Sequence, residues 1–152
     1  MITMNKEHYM RKAIELAREA ALLGEIPVGC VIIDESGSII GKGRNTRETS
    51  RCVLGHAELN AISEACEHLS DWRLEGCTIF ITLEPCPMCA GAIINARIPC
   101  VVYGAKEENF GACGSVLNLF SERFGHHPAI YGGVLEAECK ALMTDFFKEI
   151  RA

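Results

Sequence analysis

Residues 77–104, CTIFITLEPCPMCAGAIINARIPCVVYG, contain the pattern most informative about the fold. Cys77 to Leu83 is an apolar run rich in β-branched residues, which predicts a buried strand that proline brings to an end. Met88 to Ala96 predicts a helix with Pro87 in its first turn, where the missing N–H costs nothing. Cys100 to Gly104 predicts a second buried strand. Strand, helix and strand in this order indicate a βαβ unit with parallel strands and a right-handed crossover.

The segments before this unit predict a helix and a β-hairpin. Asn5 to Leu23 carries apolar residues at a helical period, and Gly24 follows as the expected stop. Val28 to Asp34 is rich in β-branched residues, Glu35-Ser36-Gly37-Ser38 predicts a turn, and Ile39 to Gly43 returns as the partner strand. The sheet is therefore expected to be mixed, antiparallel at the hairpin and parallel later.

The remaining segments complete the expected architecture. A helical pattern begins near His56 and continues to about His68, Glu136 to Ile150 is a long amphipathic segment, and Val116 to Phe124 predicts a short helix. Arg44 to Gly55 is polar and irregular. Helices on both faces of one sheet give an α/β fold, and a length of 152 residues fits one domain over residues 1–152.

Residues with metal-binding chemistry stand where loops or strands give way to helices. His56 opens one predicted helix, and the pair Cys86 and Cys89 in Pro85-Cys86-Pro87-Met88-Cys89 opens another. One histidine and two thiolates are three protein ligands, which leave the fourth tetrahedral position of Zn²⁺ open for water, as at catalytic zinc sites. A helix N-terminus also favours the thiolate form that metal binding requires.

Glu58 is the expected proton carrier. Two thiolates neutralise Zn²⁺, so the bound water is less acidic than at a three-histidine site and needs a nearby base. Residues two apart on a regular helix point about 200° away from each other. His56 and Glu58 can therefore both face the metal only from the first turn of their helix.

Two other interpretations of the cysteine pair stay open at this point. Cys86 and Cys89 could form half of a closed structural zinc site completed by Cys113 or Cys139. They could also form a redox Cys-x-x-Cys pair, which leaves the histidine and the glutamate unexplained. A disulfide framework is not expected, because the nine cysteines are an odd number, scattered, with no visible secretory signal.

Composition argues against several classes of protein. With 49% hydrophobic and 23% charged residues, the chain is expected to fold. The uncharged run Pro85 to Ala96 is shorter than the roughly 20 residues of a bilayer span, so no membrane association and a cytoplasmic location are expected. A formal net charge of −5 argues against a generic nucleic-acid coat, although Arg44, Arg47 and Arg51 form a local basic cluster.

The His-x-Glu and Pro-Cys-x-x-Cys combination is the zinc deaminase signature. More closely, the chain resembles the bacterial tRNA-specific adenosine deaminases, within the cytidine and deoxycytidylate deaminase superfamily, over nearly its whole length. The zinc core marks the superfamily, and the flanking stretches mark the family. Those stretches are Gly24–Gly29, Asn45, Ala57–Glu58, Asp71–Thr78, Thr82–Gly91, Arg97–Pro99, Val101–Ala105 and Gly133–Leu135.

This resemblance implies a three-layer α/β/α, cytidine-deaminase-like fold with a mixed five-stranded sheet, a homodimer and one Zn²⁺ per subunit. The implied substrate is the anticodon stem-loop of an arginine tRNA. The implied reaction is hydrolytic deamination of the wobble adenosine to inosine, in which Glu58 takes a proton from the attacking water and delivers protons to N1 and the departing ammonia.

The resemblance also implies roles for residues around the zinc. Asn45 is expected to hydrogen-bond the target base or its ribose, and backbone amides near Ala57 and Glu84 are expected to contact the base or the metal water. The wall of the base pocket is expected from Ile26, Pro27 and Val28. The path of the flanking nucleotides is expected to be lined by Lys106, Glu107 and Phe146. Phe146 is equally interpretable as a core residue.

Two stretches depart from the family pattern. Before the zinc histidine the family has a polar residue, proline, threonine and alanine, where this chain has Cys52-Val53-Leu54-Gly55. Near the end, Gly125-His126-His127-Pro128 replaces an asparagine-histidine-arginine motif. These departures and the acidic net charge leave an alternative open, a zinc-dependent deaminase of a free nucleobase or nucleoside of the guanine, cytosine or adenine type.

Overall fold

The computed structural model describes residues 4–151, with one mixed five-stranded sheet between two layers of helices. The α-helices are α1 (Lys6–Leu22), α2 (Arg47–Ser50), α3 (Ala57–Leu69), α4 (Pro87–Ala96) and α5 (Glu136–Arg151). The strands are β1 (Gly29–Ile33), β2 (Ile39–Arg44), β3 (Thr78–Leu83), β4 (Cys100–Ala105) and β5 (Ala129–Tyr131). None of the helices within these residues is long and apolar enough to cross a membrane.

The sheet has the mixed topology that the sequence predicts. Its strand order is β2-β1-β3-β4-β5. β1 pairs antiparallel with β2 and with β3, whereas β3 pairs parallel with β4, and β4 with β5. The predicted hairpin and the predicted βαβ unit are both present. Because β3 and β4 are parallel, their carboxyl ends lie at the same edge of the sheet, where the Pro85-Cys86 segment begins.

Each face of the sheet buries its own apolar cluster. Successive side chains of a strand point to opposite faces, so Ile79 and Ile81 pack under α3 and α4, whereas Phe80 packs under α1 and α5. A strand buried on both sides needs apolar residues at every position. Ile79, Phe80 and Ile81 at the centre of β3 are accordingly apolar in succession, and the buried Thr82 hydroxyl accepts the Gly29 N–H at 3.1 Å.

The first helix begins and ends close to the predicted positions. The Asn5 side chain accepts a hydrogen bond from the His8 amide at 3.1 Å and caps the N-terminus of α1. Gly24 adopts a positive φ of 77° after the helix ends, a conformation that glycine reaches without steric cost. The predicted stop at Gly24 is therefore confirmed.

Two segments differ from the sequence prediction. The irregular stretch Arg44 to Gly55 contains the short helix α2, whose N-terminal amides are bound by side chains outside the helix. The helix predicted over Val116 to Phe124 is wrong, because only Leu119–Ser121 forms a 3₁₀ turn. The backbone around that turn instead bonds to the loop after β4, where Val116 N–H donates to Gly111 O at 3.0 Å.

The close contact of β1 with α1 yields a stability prediction. A Cβ at Gly29 would overlap the Ala13 carbonyl oxygen, so we expect Gly29→Ala to lower the free energy of unfolding by about 1–3 kcal/mol. Gly91→Ala on α4 is the matched control, since nothing lies within 4 Å of the added Cβ. A helical Gly-to-Ala change there is expected to raise stability by about 0.5–1 kcal/mol. Urea unfolding checks both values, and an unchanged Gly29→Ala variant would contradict the close packing.

Candidate active site

Two helix N-termini meet beyond the carboxyl end of β3. His56 is the N-cap residue of α3 and Cys86 is the N-cap residue of α4, and both have extended backbone conformations. His56 makes no capping hydrogen bond to α3, and Cys86 Sγ accepts hydrogen bonds from the thiol and amide of Cys89, which leaves lone pairs on both donor atoms. Both side chains are therefore available to bind something else, and they lie next to each other.

The donor atoms of three side chains have the spacing of a metal site. His56 Nδ1 lies 3.7 Å from Cys86 Sγ and 3.4 Å from Cys89 Sγ, and all three atoms lie within 4.8 Å of one another. A tetrahedral ion with one nitrogen and two sulfur ligands at zinc-like bond lengths places nitrogen and sulfur about 3.6 Å apart. Within residues 4–151, no other set of three or more histidine, cysteine, aspartate or glutamate side chains has its donor atoms this close together.

Hydrogen bonding between the two thiols shifts their pKa values in opposite directions. A hydrogen bond from the Cys89 thiol, helped by bonds to His56 and to the Cys89 amide, lowers the pKa of Cys86 to about 4 against the effect of burial. The same thiol pair, together with burial and the nearby Glu58, raises the pKa of Cys89. A divalent cation stabilises the form in which both sulfurs are deprotonated.

Glu58 lies beside this group in the first turn of α3. Its side chain is 4% exposed. Burial raises the pKa of Glu58 to about 7, with a further contribution from the Cys86 thiolate. A carboxyl group with a pKa near neutrality can both accept and donate a proton at physiological pH, which is what general acid and base catalysis requires.

The cysteines proposed as further ligands do not complete a four-ligand site. Cys139 is buried on the opposite face of the sheet, where it packs against Gly104. Cys113 packs against the cluster under α3 and α4 but lies outside the donor group. All nine cysteines are free thiols. The structure therefore favours an open three-ligand site over the closed alternative.

Asn45 directly follows β2 and is 7% exposed. Its backbone N–H donates to Val28 O at 3.2 Å, and its side-chain Oδ1 accepts from the Arg47 N–H at 3.3 Å. Within the part of the chain that the structure describes, the Asn45 side-chain Nδ2 makes no hydrogen bond. That amino group is therefore available to donate to a ligand.

The segment Ile26–Val28 lies beside Asn45. The bond from Asn45 N–H to Val28 O joins the two segments directly. Pro27 and Val28 are buried, and Ile26 is half-buried against the apolar cluster under α3 and α4. Ala57, the first residue of α3, is 1% exposed, and its amide belongs to the first turn, where N–H groups have no partner within the helix.

Glu84 anchors the loop that follows β4. Its carboxylate is buried and accepts hydrogen bonds from the amides of Glu107 at 3.2 Å, Cys113 at 2.9 Å and Ser115 at 3.2 Å. The backbone N–H of Glu84 donates to Ala105 O at 2.8 Å. Of the amides expected near the substrate, that of Glu84 itself is therefore already in use.

The three residues expected on the path of flanking nucleotides have different environments. Lys106 is exposed just after β4. The Glu107 carboxylate accepts the Asn109 amide at 2.9 Å and so closes its own loop. Phe146 is 9% exposed and lines, with Pro27, a groove of about 330 Å³ between α1 and α5. Only Lys106 lies fully at the surface, and Phe146 serves mainly in packing.

The comparison with known sequences decides the family. The chain matches the family model described as MafB19-like deaminase over residues 4–151. It is 46% identical over 146 residues to the tRNA-specific adenosine deaminase of Bacillus subtilis (strain 168), covering 95% of this chain and 90% of that protein. The chain belongs to the tRNA-specific adenosine deaminase family. The resemblance that the sequence motifs indicated is confirmed.

Solved structures of this family and of a related one share the fold. A tRNA:A34 deaminase studied for A-to-I editing at the wobble position of transfer RNA is 39% identical with a TM-score of 0.85, covering 89% of this chain and 98% of that chain. A guanine deaminase from Bacillus subtilis is 41% identical with a TM-score of 0.65, but covers 68% of this chain and 66% of that chain. The predicted three-layer α/β/α deaminase fold is confirmed.

Sequence reasoning overlooked one buried carboxylate near the site. Glu25 is 0% exposed and accepts hydrogen bonds from the amides of Glu48 at 3.1 Å and Thr49 at 2.6 Å, and from the Thr49 hydroxyl. It lies within the family stretch Gly24–Gly29. That location was the only available signal, because its partners lie more than 20 residues further along the chain.

Proposed function

We propose that this protein deaminates adenosine to inosine at the wobble position of a tRNA anticodon, with one Zn²⁺ per subunit held by His56, Cys86 and Cys89. The observation that carries the proposal is the buried Glu58 beside a three-donor group with tetrahedral spacing. Family membership and the similarity to a wobble-position deaminase support the choice of substrate.

The roles of the side chains follow from their placement. Bound zinc supplies a Lewis acid that makes water nucleophilic at neutral pH. Glu58 accepts a proton as the water oxygen bonds to C6 of adenine, and delivers it to N1. Glu58 then carries the second proton of the water to the amino group, the C6–N bond breaks, and ammonia leaves. Burial of Glu58 keeps bulk solvent from competing for these protons.

Asn45 and the first turn of α3 orient the base. Asn45 Nδ2 donates to an acceptor on the base or ribose, and the Ala57 amide in the first turn of α3 is a further donor. Ile26, Pro27 and Val28 form the apolar wall against which a base turned out of its loop packs. Binding the reacting base in one orientation lowers the barrier, because the entropy of alignment is lost before the chemical step.

We propose an arginine tRNA as the substrate, a homodimer as the functional form, and the cytoplasm as the location, which follows from the substrate.

The loops beside the site carry exposed apolar side chains, which a second subunit would shield from water. These side chains are Val53, Leu54, Phe110, Val116 and Leu117, all more than 40% exposed. Sedimentation velocity at micromolar concentration tests the dimer, and a monomer there would contradict it.

The substrate is tested with the zinc-loaded protein and an arginine tRNA anticodon stem-loop. We expect inosine at the wobble position only, with one ammonia released per inosine. The matched control is the same stem-loop with guanosine at the wobble position, which should remain unchanged. A parallel panel contains free guanine, cytosine, adenine and their nucleosides. Release of ammonia from a panel compound, with no reaction of the stem-loop, would contradict the tRNA proposal and favour deamination of a small molecule. The partial similarity to a guanine deaminase supports that alternative.

A further inference from the structure

We propose that Glu25 is a positioning residue that acts through the first turn of α2 to orient the side-chain amide of Asn45. The inference rests on the proposed function, because it takes Asn45 as a substrate-binding residue. Nothing in the motif pattern of the chain assigns a role to Glu25. Glu25 is fully buried, and its carboxylate hydrogen-bonds to α2, which indicates a positioning role.

The carboxylate of Glu25 is fully committed to α2. Oε1 accepts the Glu48 amide, and Oε2 accepts both the amide and the hydroxyl of Thr49. Burial opposes ionisation of Glu25, but these hydrogen bonds outweigh burial and lower its pKa. The group therefore serves as a charged acceptor, and hydrogen bonds to a buried carboxylate are stronger than those between neutral groups.

The start of α2 depends on acceptors from outside the helix. Its N-cap residue, Thr46, makes no side-chain capping bond. The first amide, Arg47 N–H, instead donates to Asn45 Oδ1, and the next two amides donate to Glu25. A helix of four residues is too short to be stable by itself. Glu25 thus accepts two of the three amides in the first turn of α2.

The same turn determines which way Asn45 faces. Because Arg47 N–H holds Oδ1 of Asn45, the amino group Nδ2 must point away from α2. The backbone of Asn45 is held at the same time by Val28 O, three residues after Glu25. Glu25 therefore links the segment of the apolar wall to the loop that carries Asn45. If α2 moves, the Asn45 amide turns with it.

A double-mutant cycle separates positioning from general structural support. We expect Glu25→Gln to lower kcat/KM about tenfold, mainly through KM, because misplacement of a binding group weakens substrate binding. In the Asn45→Ala background, the same change should lower kcat/KM less than twofold, since its target is gone. An equal loss in both backgrounds, or no loss in either, would overturn the proposal. The wild-type rate in the same assay tests the proposed function separately.

The orientation of the Asn45 side-chain amide can also be measured without substrate, by NMR spectroscopy. In zinc-loaded protein, Glu25→Gln should shift or broaden the NMR signals of the Asn45 side-chain amide, which Asn45→Ala identifies. Thr49→Val removes only the hydroxyl donor to Glu25, so it should shift the Asn45 signals in the same direction by a smaller amount. Thr49→Ser keeps this hydroxyl and should leave the signals as in the wild type. Glu64→Gln, an exposed change on α3, is the matched control. Unchanged Asn45 signals in both Glu25→Gln and Thr49→Val would overturn the proposal.

Discussion

Glu58→Gln is expected to reduce kcat by about 10²–10⁴-fold, the usual contribution of a general acid and base, while zinc content stays at one ion per chain. Glutamine has nearly the shape of glutamate and fills the same buried position, but it cannot accept the proton of the attacking water. The three donor atoms of the metal group come from other residues, so metal binding should survive. Single-turnover rates and zinc analysis of the same preparation measure both quantities.

The control for this variant is Glu64→Gln on the same helix. Glu64 is exposed and takes no part in the metal group, so its kcat should stay within twofold of the wild type. A Glu58→Gln protein that retains more than a tenth of the wild-type rate would show that another group moves the protons. Loss of zinc along with activity would instead place Glu58 among the metal ligands.

His56→Ala and Cys86→Ala are each expected to weaken zinc binding by at least about 100-fold. Loss of a side chain that merely supports a metal ligand already costs 10–100-fold, and these variants remove a ligand itself. His56 makes no capping bond to α3, and Cys86 accepts a single amide, that of Cys89, in the first turn of α4, so both helices should still form. Competition with a zinc chelator measures the affinity, and far-UV circular dichroism checks the fold.

Cys52→Ala is the matched control for the ligand variants. Cys52 is an exposed thiol in the same loop as His56, outside the donor group, and its replacement should leave zinc affinity within twofold of the wild type. Normal zinc content in both His56→Ala and Cys86→Ala would refute the ligand assignment. Weakened binding in Cys52→Ala would make Cys52 a third thiol and fourth ligand of the site, and would remove the open position that the mechanism requires.

The parts of the fold that could be predicted depend on local patterns. Three consecutive apolar residues, Ile79 to Ile81, predict a strand buried on both faces. The segment 77–104 also has the strand and helix lengths that a βαβ unit needs. The short helix α2 could not be predicted in this way. Its residues, Arg-Glu-Thr-Ser, have no apolar periodicity, and acceptors from elsewhere in the chain stabilise its first turn.

The same distinction applies to the site. The spacing of His56, Cys86 and Cys89 and the flanking stretches pointed to a metal-dependent deaminase, because a ligand set of this chemistry is encoded in short motifs. That Glu58 lies against both thiols follows from helix geometry only once α3 is known to begin at Ala57. A helix that began one turn earlier would have turned Glu58 away from His56.

The family, the mixed sheet and the candidate metal-binding group could be predicted from the sequence alone, because each depends on residues that are close along the chain or on stretches that match the family pattern. The hydrogen-bond partners of the buried carboxylates Glu25 and Glu84, in contrast, depend on the tertiary structure. Glu25 bonds to Thr49, 24 residues away, and Glu84 bonds to Ser115, 31 residues away. A buried carboxylate must find donors wherever the fold brings them, and no local pattern indicates where those donors are.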